Sequence, residues 1–301
     1  MHKPKLLLHP DKWSNARHAH LKLLFDEYFE RILIDETATY NPKDTIVYTD
    51  CLDTNWVIPW RDRGFRIVID NLWEMPTKGL PADTMIIPPG HWFFRANESM
   101  WYKSLGYDQY QRMPNITKTF LMFLHKQYPF RDQIFDQINL SDSIHCYRER
   151  GIKLNYADAP LDDANWQRYF NPDWYNITNF SMVVESTMQP EPLGPTEKTW
   201  KPIAYHHPFM MWGPSGYLDL LQQQGFQTFD HVIDESYDSE QNNDTRLSMI
   251  IEQVNKLKNI KLTDDETVKR TTHNHNLFFD TTWSKQQFYK NLFCPLLELL
   301  S

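Results

Sequence analysis

The segment Thr196–Pro202 combines residue types that could bind a diphosphate. It follows a loop with glycine and proline, begins a predicted helix, and contains two threonines and two lysines: Thr196, Thr199, Lys198 and Lys201. The start of a helix presents unpaired N–H groups and partial positive charge, which suit an anion. Glu197 could accept hydrogen bonds from the vicinal hydroxyls of a ribose. An ordinary capped, solvated helix start, with Thr196 as its N-cap, explains the same residues.

Two further candidates lie where predicted strands end. Glu185 closes the apolar run Phe180–Glu185 and precedes a serine and a threonine, at the kind of position where α/β proteins bind ligands. Lys126 and Arg131 follow another apolar run, and a guanidinium suits phosphate geometry. The alternatives are a surface carboxylate for Glu185 and a helix-entry loop with solvated charges for Lys126 and Arg131.

Two other kinds of polar cluster could bind a metal ion, but their spacing favours turns or loops. Ile233–Asp238 holds three carboxylates that could bind a divalent cation, but their spacing is not that of an EF-hand and favours a capped turn. The pairs His206–His207 and His273–His275 have no Cys or His partner at zinc-site spacing, so we interpret them as loop residues or hydrogen-bonding groups. No metal ligand and no cofactor is predicted.

Composition excludes several classes of protein. The 301 residues carry 31 Lys+Arg against 39 Asp+Glu, a net charge of −8, which supplies no basic field for nucleic acid. No apolar run approaches the length of a membrane span, and the start is too polar for a signal peptide, so we expect a cytoplasmic protein. Three cysteines build neither a disulfide framework nor a zinc cluster. Glycine-rich phosphate loops and a serine nucleophile elbow do not occur.

The elements that must position these residues alternate between strands and helices. In the first third the predicted strands are Lys5–His9, Thr45–Thr49, Phe65–Asp70 and Thr84–Ile87, and the predicted helix is Asn15–Ile34. Two of these strands are apolar and β-branched, as expected of a parallel sheet covered on both faces.

The pattern restarts near residue 115. The predicted elements are an apolar run at Thr119–Leu124, a helix at Arg131–Ile138, further runs at Ser143–Tyr147 and Gly151–Leu154, strands at Phe180–Glu185 and Pro208–Trp212, and helices from Thr196 and at Tyr217–Gln224, Asp244–Leu257 and Thr282–Leu300. Successive βα halves predict an α/β protein with two Rossmann-like domains facing across a cleft, residues 1–115 and 116–301. The last helix is a candidate to pack back on the first domain.

Several segments resemble a known family. The runs FSMVVEST (Phe180–Thr187), TEKTWKPIA (Thr196–Ala204), GFQTF (Gly225–Phe229) and IDESYD (Ile233–Asp238), with Pro208–Phe209, resemble the C-terminal half of glycosyltransferase-like proteins from phages, giant viruses and bacteria. Their Glu-Lys element is similar to that in the nucleotide-sugar domain of α1,3-fucosyltransferases, which have the GT-B fold. The resemblance covers residues 118–280.

The resemblance implies a transferase whose second domain binds a nucleotide-sugar and whose first domain binds a glycan, lipid or protein acceptor. Carried over by motif position, Glu197 binds the ribose, Lys198 the diphosphate, and Arg131 is a phosphate contact. The residues after the Glu-Lys pair, Trp200–Pro202, differ from the small-residue helix of the fucosyltransferases. The sugar and the nucleotide base therefore stay open.

Glycosyl transfer places growing negative charge on the departing diphosphate, and lysines at a helix start can stabilise that charge without a metal. Inverting transfer also needs a general base beside the acceptor hydroxyl, whereas retention of configuration does not. The candidate bases at strand ends of the first domain are Asp50, Asp53, Asp70 and Glu74. We favour Glu74, because Trp73 could desolvate it; an exposed loop carboxylate is the alternative. A non-catalytic nucleotide- or glycan-binding protein and a sugar-modifying hydrolase are alternative functions.

Overall fold

Two parallel β-sheets form the framework of the protein, which confirms the predicted α/β class with two Rossmann-like sheets. The computed structural model describes residues 3–8, 26–33, 38–43, 45–49, 54–70, 84–87, 91–154, 171–189 and 194–299. Contacts between Cα atoms divide the chain into two units. Unit 1 comprises Met1–Trp101 and Thr281–Ser301, and unit 2 comprises Tyr102–Asp280.

Unit 1 contains a five-stranded sheet in the order β2-β1-β3-β4-β5, with every pairing parallel. Its strands are β1 (Lys5–Leu8), β2 (Glu30–Leu33), β3 (Thr45–Thr49), β4 (Arg66–Asp70) and β5 (Met85–Ile87). Its helices are α1 (Thr54–Asp62), α2 (His91–Ser104, which continues into unit 2), α9 (Thr281–Phe288) and α10 (Cys294–Glu298), with a π-helical stretch at Tyr289–Phe293.

Apolar side chains cover both faces of this first sheet, which explains why its strands are almost continuously hydrophobic. Because side chains alternate along a strand, Leu6 and Leu7 enter different clusters. On one face Leu6 packs with residues of α2 and of the C-terminal segment, including Phe293 and Leu296. On the other face Leu7 packs with Trp60 of α1 and its neighbours.

The predicted helix Asn15–Ile34 is wrong at its C-terminal end. Residues 26–28 are helical, but Glu30–Leu33 forms the edge strand β2 and pairs in parallel with β1, with Ile32 opposite Leu7. The three- and four-residue spacing of apolar residues continues to Ile32, but the helix ends before Glu30. The rest of the predicted helix lies outside the described residues.

Unit 2 contains a four-stranded parallel sheet in the order β7-β6-β8-β9. Its strands are β6 (Lys118–Leu124), β7 (Ser143–Tyr147), β8 (Thr178–Val184) and β9 (Phe209–Trp212). Its helices are α3 (Pro129–Gln137), α4 (Pro172–Ile177), α5 (Glu197–Ala204), α6 (Tyr217–Gln223), α7 (Asn243–Leu257) and α8 (Asp265–Phe278).

The strand order of unit 2 creates a topological switch point between β6 and β8. The chain leaves β6 toward β7 on one side and later enters β8 on the other, so the loops after β6 and β8 diverge. Ligands of open parallel sheets bind outside the carboxyl ends of the strands at such a point. The segments that follow β6 and β8 are those that contain Lys126, Arg131 and Glu185.

Most strands of unit 2 match their predicted ranges to within two residues. Three other predictions, one of them in unit 1, are corrected by the structure. The run Gly151–Leu154 contributes one isolated bridge, Tyr147 to Ile152, and no strand. The terminal helix Thr282–Leu300 is interrupted by the π-helical stretch between α9 and α10. His273 and His275 lie on helix α8 and not in a loop.

Within the described ranges, every helix is too short or too polar to cross a bilayer.

Candidate functional site

Helix α5 begins against the end of strand β8, and Glu185 fixes this arrangement. The Glu185 carboxylate is fully buried. Its Oε1 accepts hydrogen bonds from the Thr196 amide at 3.0 Å and the Thr199 hydroxyl at 2.6 Å. Its Oε2 accepts from the Thr196 hydroxyl at 2.6 Å and the Ser186 amide at 3.2 Å. Four donors therefore satisfy the carboxylate within the protein, and the first turn of α5 is tied to the sheet.

Thr196 occupies the N-cap position, as the sequence predicts, but its hydroxyl does not cap its own helix. The backbone there is extended, with φ −94° and ψ −174°, and the hydroxyl donates to Glu185 instead of accepting from an amide of the first turn. The helix start is thus held by the carboxylate of a neighbouring strand.

Gly213 makes room for this carboxylate at the end of β9. A Cβ atom at Gly213 would lie 3.1 Å from Cβ and 3.2 Å from Cγ of Glu185, closer than side chains normally approach. The backbone of the two strand ends is also joined, because the Glu185 amide donates to the Trp212 carbonyl oxygen at 2.9 Å. A glycine directly after a buried strand is the sequence signal for such a close approach.

Arg131 connects the loop after β6 to the end of β8. Its Nε and Nη2 donate to the Glu185 carbonyl oxygen at 3.3 and 2.9 Å, and its Nη1 donates to the Lys126 carbonyl oxygen at 3.1 Å. The side chain is buried, and desolvation lowers the pKa of the guanidinium. Arg131 therefore braces the two strand ends of the switch point. Its role as a phosphate contact stays a prediction, as does that of the exposed Lys126.

Glu197 and Lys198 form an ion pair at the start of α5. The Lys198 Nζ lies 2.6 Å from Glu197 Oε1 and also donates to the Ser186 hydroxyl at 3.0 Å. Their side chains are 12% and 19% exposed, respectively. The pair thus lies against the protein and remains partly accessible to a ligand.

Lys198 and Lys201 line the same small cavity. The cavity has a volume of about 40 Å³ and lies between α5 and the β6 and β8 strands. Its wall includes Phe123, Tyr175, Val184, Lys198, Lys201 and Pro202. Lys201 is buried, and its Nζ lies 5.8 Å from the centre of the Phe123 ring. Two lysines one helical turn apart therefore line one cavity next to β6 and β8.

The carboxylates of Ile233–Asp238 accept hydrogen bonds from backbone amides, as a capped turn requires. Asp234 accepts from Ser236 at 3.1 Å, and Glu235 accepts from Phe229 at 2.7 Å. Asp238 accepts from the amides of Leu218 and Asp219, in the first turn of α6, at 3.1 and 3.2 Å. Among the described residues, no group of three His, Cys, Asp or Glu side chains could hold a metal ion.

The side chains of the two predicted general bases, Glu74 and Asp70, lie outside the described part of the structure. Glu74, like Asp50 and Asp53, lies outside the described residues. Asp70 is the last residue of β4, and its side chain also lies outside the described part of the structure. Both assignments stay predictions. Sequence reasoning missed Gly213, which makes room for Glu185, and it noted Ser186 without predicting its hydrogen bond to Lys198.

Similarity to known proteins is found among solved structures. No protein-family model matches the sequence, and no curated protein matches it. Among solved structures, a crystal structure of an alpha1,3-fucosyltransferase with GDP aligns with 97% of this chain and 91% of its own, with a TM-score of 0.49 and 11% identity.

Proposed function

We propose that this protein is a glycosyltransferase that moves a sugar from a nucleotide-sugar donor to a glycan, lipid or protein acceptor. The observation that carries the proposal is the pair Lys198 and Lys201 on α5, a helix that begins against the carboxyl end of β8, next to the switch point of the second sheet. This is the position at which open parallel sheets bind nucleotides.

The charges at this position suit a departing diphosphate. The chain as a whole carries a net charge of −8, yet the first turns of α5 present two lysines and the positive end of a helix. Such fixed charges stabilise the negative charge that develops on the leaving group. In this proposal they make a metal ion unnecessary.

Glu197 is the proposed ribose ligand. Its carboxylate pairs with Lys198 through Oε1, its side chain is 12% exposed, and carboxylate oxygens accept hydrogen bonds from hydroxyl groups such as those of a ribose. Glu185 does not have this capacity, because its four donors are internal. In this proposal the two acids have different roles: Glu185 positions the helix, and Glu197 binds the ribose.

Transfer requires an acceptor site, which we assign to unit 1, with Glu74 as the general base and Asp70 as the second candidate. The resemblance to phage, viral and bacterial transferases and the expected cytoplasmic location belong to this proposal. The sugar and the base of the donor stay open.

Substitution of Lys198 tests the donor site. A charge-assisted hydrogen bond contributes about 1.5–3 kcal/mol, so Lys198→Ala should weaken binding of UDP or GDP by roughly 10- to 150-fold. Isothermal titration calorimetry measures this directly. Lys256→Ala is the matched control, because Lys256 lies on the exposed face of α7 in a surface pair with Glu252. Equal affinities of the two variants would refute the donor-site assignment.

A second measurement separates a transferase from a non-catalytic binding protein. Native protein should first be screened with UDP-, GDP-, ADP- and CMP-sugars by thermal shift, since a ligand of the folded state raises the melting temperature. The donor that binds should then be slowly hydrolysed or transferred, with release of nucleoside diphosphate. Release of the intact nucleotide-sugar after prolonged incubation with candidate acceptors would favour the binding protein.

A further inference from the structure

A second pocket lies at the opposite, amino end of the sheet in unit 2. Its volume is about 260 Å³, and its wall includes Arg112, His206, Leu262, Thr263, Val268 and Thr272. Arg112 Nη2 donates to the carbonyl oxygen of Thr178, the first residue of β8. Glu185 follows the last residue of the same strand, so this pocket is separate from the candidate donor site.

Arg112 brings a cation into this pocket, and it forms no ion pair with the carboxylates that the structure describes. Its Nε donates to the Tyr175 carbonyl oxygen at 3.0 Å and its Nη2 to that of Thr178 at 2.8 Å. Across the described part of the chain, no carboxylate forms a salt bridge with Arg112, and its Nη1 has no hydrogen-bond partner. Desolvation lowers the pKa of this guanidinium to about 10, while Tyr110 acts in the opposite direction. A desolvated cation favours an anionic partner.

The histidine beside Arg112 is neutral and adds no second charge. Burial lowers the pKa of His206 to about 4, with further contributions from His275 and Arg112. The His206 and His275 rings stack with centres 3.9 Å apart, and His206 has a left-handed backbone with φ 51°. The neighbouring Asp264 carboxylate is used as the N-cap of α8.

We propose that this pocket binds a small organic acid. Its single carboxylate pairs with Arg112 Nη1 and with the threonine hydroxyls of the wall, and its compact apolar body contacts Pro114, Leu262 and Val268. Inorganic phosphate, in contrast, has no apolar body that could contact this part of the wall. The volume of about 260 Å³ lies just below the range of roughly 300–1,000 Å³ typical of drug-sized ligands, so the pocket suits a small molecule.

Calorimetry with benzoate and its neutral isostere benzamide tests the proposal on the full chain. Benzoate should bind, and benzamide and inorganic phosphate should bind at least tenfold more weakly. Arg112→Gln should weaken benzoate binding at least tenfold. Equal binding of benzoate and benzamide, equal binding of phosphate, or no benzoate binding at all would overturn the proposal.

A second variant avoids the structural role of Arg112. Val268 lies on the pocket wall and is 51% exposed, so Val268→Phe should fill the pocket without disturbing the Arg112 hydrogen bonds. This variant should lose benzoate binding, and Val268→Ala should retain it. Retained binding in Val268→Phe would contradict the assignment. Lys198→Ala should bind benzoate normally, so failure of the donor-site proposal is distinguishable from failure of this one.

The His206 ring provides a spectroscopic readout of the same event. A bound carboxylate offsets the charge of Arg112, so it should raise the pKa of His206 in an NMR titration. His206→Asn assigns the resonance, since asparagine tolerates a left-handed backbone. An unchanged His206 titration at saturating benzoate would place the ligand elsewhere.

Discussion

The contact between Glu185 and helix α5 can be tested by one isosteric change, Glu185→Gln. The glutamine keeps the shape of the side chain and one acceptor oxygen, but it replaces the other oxygen with an NH2 group. If the remaining oxygen stands at the Oε1 position, it still accepts from Thr196 and Thr199. The NH2 group then faces the Ser186 amide, which loses its acceptor.

The expected change in the free energy of local opening follows from these hydrogen bonds. Two charge-assisted hydrogen bonds become neutral, at about 1 kcal/mol each, and a part-buried amide without a partner costs about 1–3 kcal/mol. The Thr196 hydroxyl can rotate to accept from the new NH2 group. Removing a buried charge relieves part of its desolvation penalty. We therefore expect the local opening of the α5 start to become easier by about 2–4 kcal/mol.

Hydrogen–deuterium exchange of peptides covering residues 196–204 measures this local opening. The expected change corresponds to roughly 30- to 900-fold faster exchange. Glu252→Gln is the control, because that carboxylate belongs to an exposed surface pair and should leave these peptides unchanged. If Glu185→Gln exchanged like the native protein, the carboxylate would not be what holds α5 to the sheet.

Two further substitutions probe the surroundings of the site. Gly213→Ala should destabilise the protein by about 1–3 kcal/mol in chemical denaturation, because its Cβ would press on Glu185, whereas Ser215→Ala in the same turn should not. Burial raises the pKa of Glu235 to about 7 from its ordinary value of 4.5. The folded state therefore binds more protons than the unfolded state between these values, and the free energy of unfolding should fall as the pH rises through this window. Glu235→Gln, which can still accept from Phe229, should reduce that loss when native and variant unfolding are compared at pH 5 and pH 8; equal pH dependence would contradict the assignment.

The strands were the most predictable elements, for a physical reason. Thr45–Thr49 and Ser143–Tyr147 have the predicted bounds. Each run is mostly apolar, and partners on both faces bury it in a parallel sheet. Strand β2 escaped prediction because Glu30–Leu33 has polar residues and gains its structure from pairing with β1, which is distant in sequence.

Helix α8 escaped prediction because its composition favours helix weakly. Thr271, His273 and Asn274 have modest helix propensity, and tertiary contacts supply the difference. Asn274 exchanges hydrogen bonds with the backbone of Gln227 at 2.7 Å in both directions. His275 contacts the carbonyl oxygen of Ala204 at 3.0 Å. A single sequence does not show which distant residues will form such hydrogen bonds.

Helix α5 begins where the sequence predicts a helix, but the different contacts of Glu185 and Glu197 were not predictable. Glu185 and Thr196 are 11 positions apart, and only the return of α5 onto the end of β8 brings them together. The same return places Lys198 against Ser186. Spacing along the chain identifies residue types suited to a ligand, whereas the fold decides which of them the protein uses for itself.

The anchoring of α5 by Glu185 has a consequence for the entropy of ligand binding at the proposed donor site. Since the helix start is immobilised by a neighbouring strand before any anion arrives, its two ammonium groups need little reorganisation on association. The entropy lost would then come chiefly from the incoming molecule, which is the advantage of a preorganised receptor. Affinity for a pyrophosphate group would consequently depend on how well that group fits a fixed pair of charges.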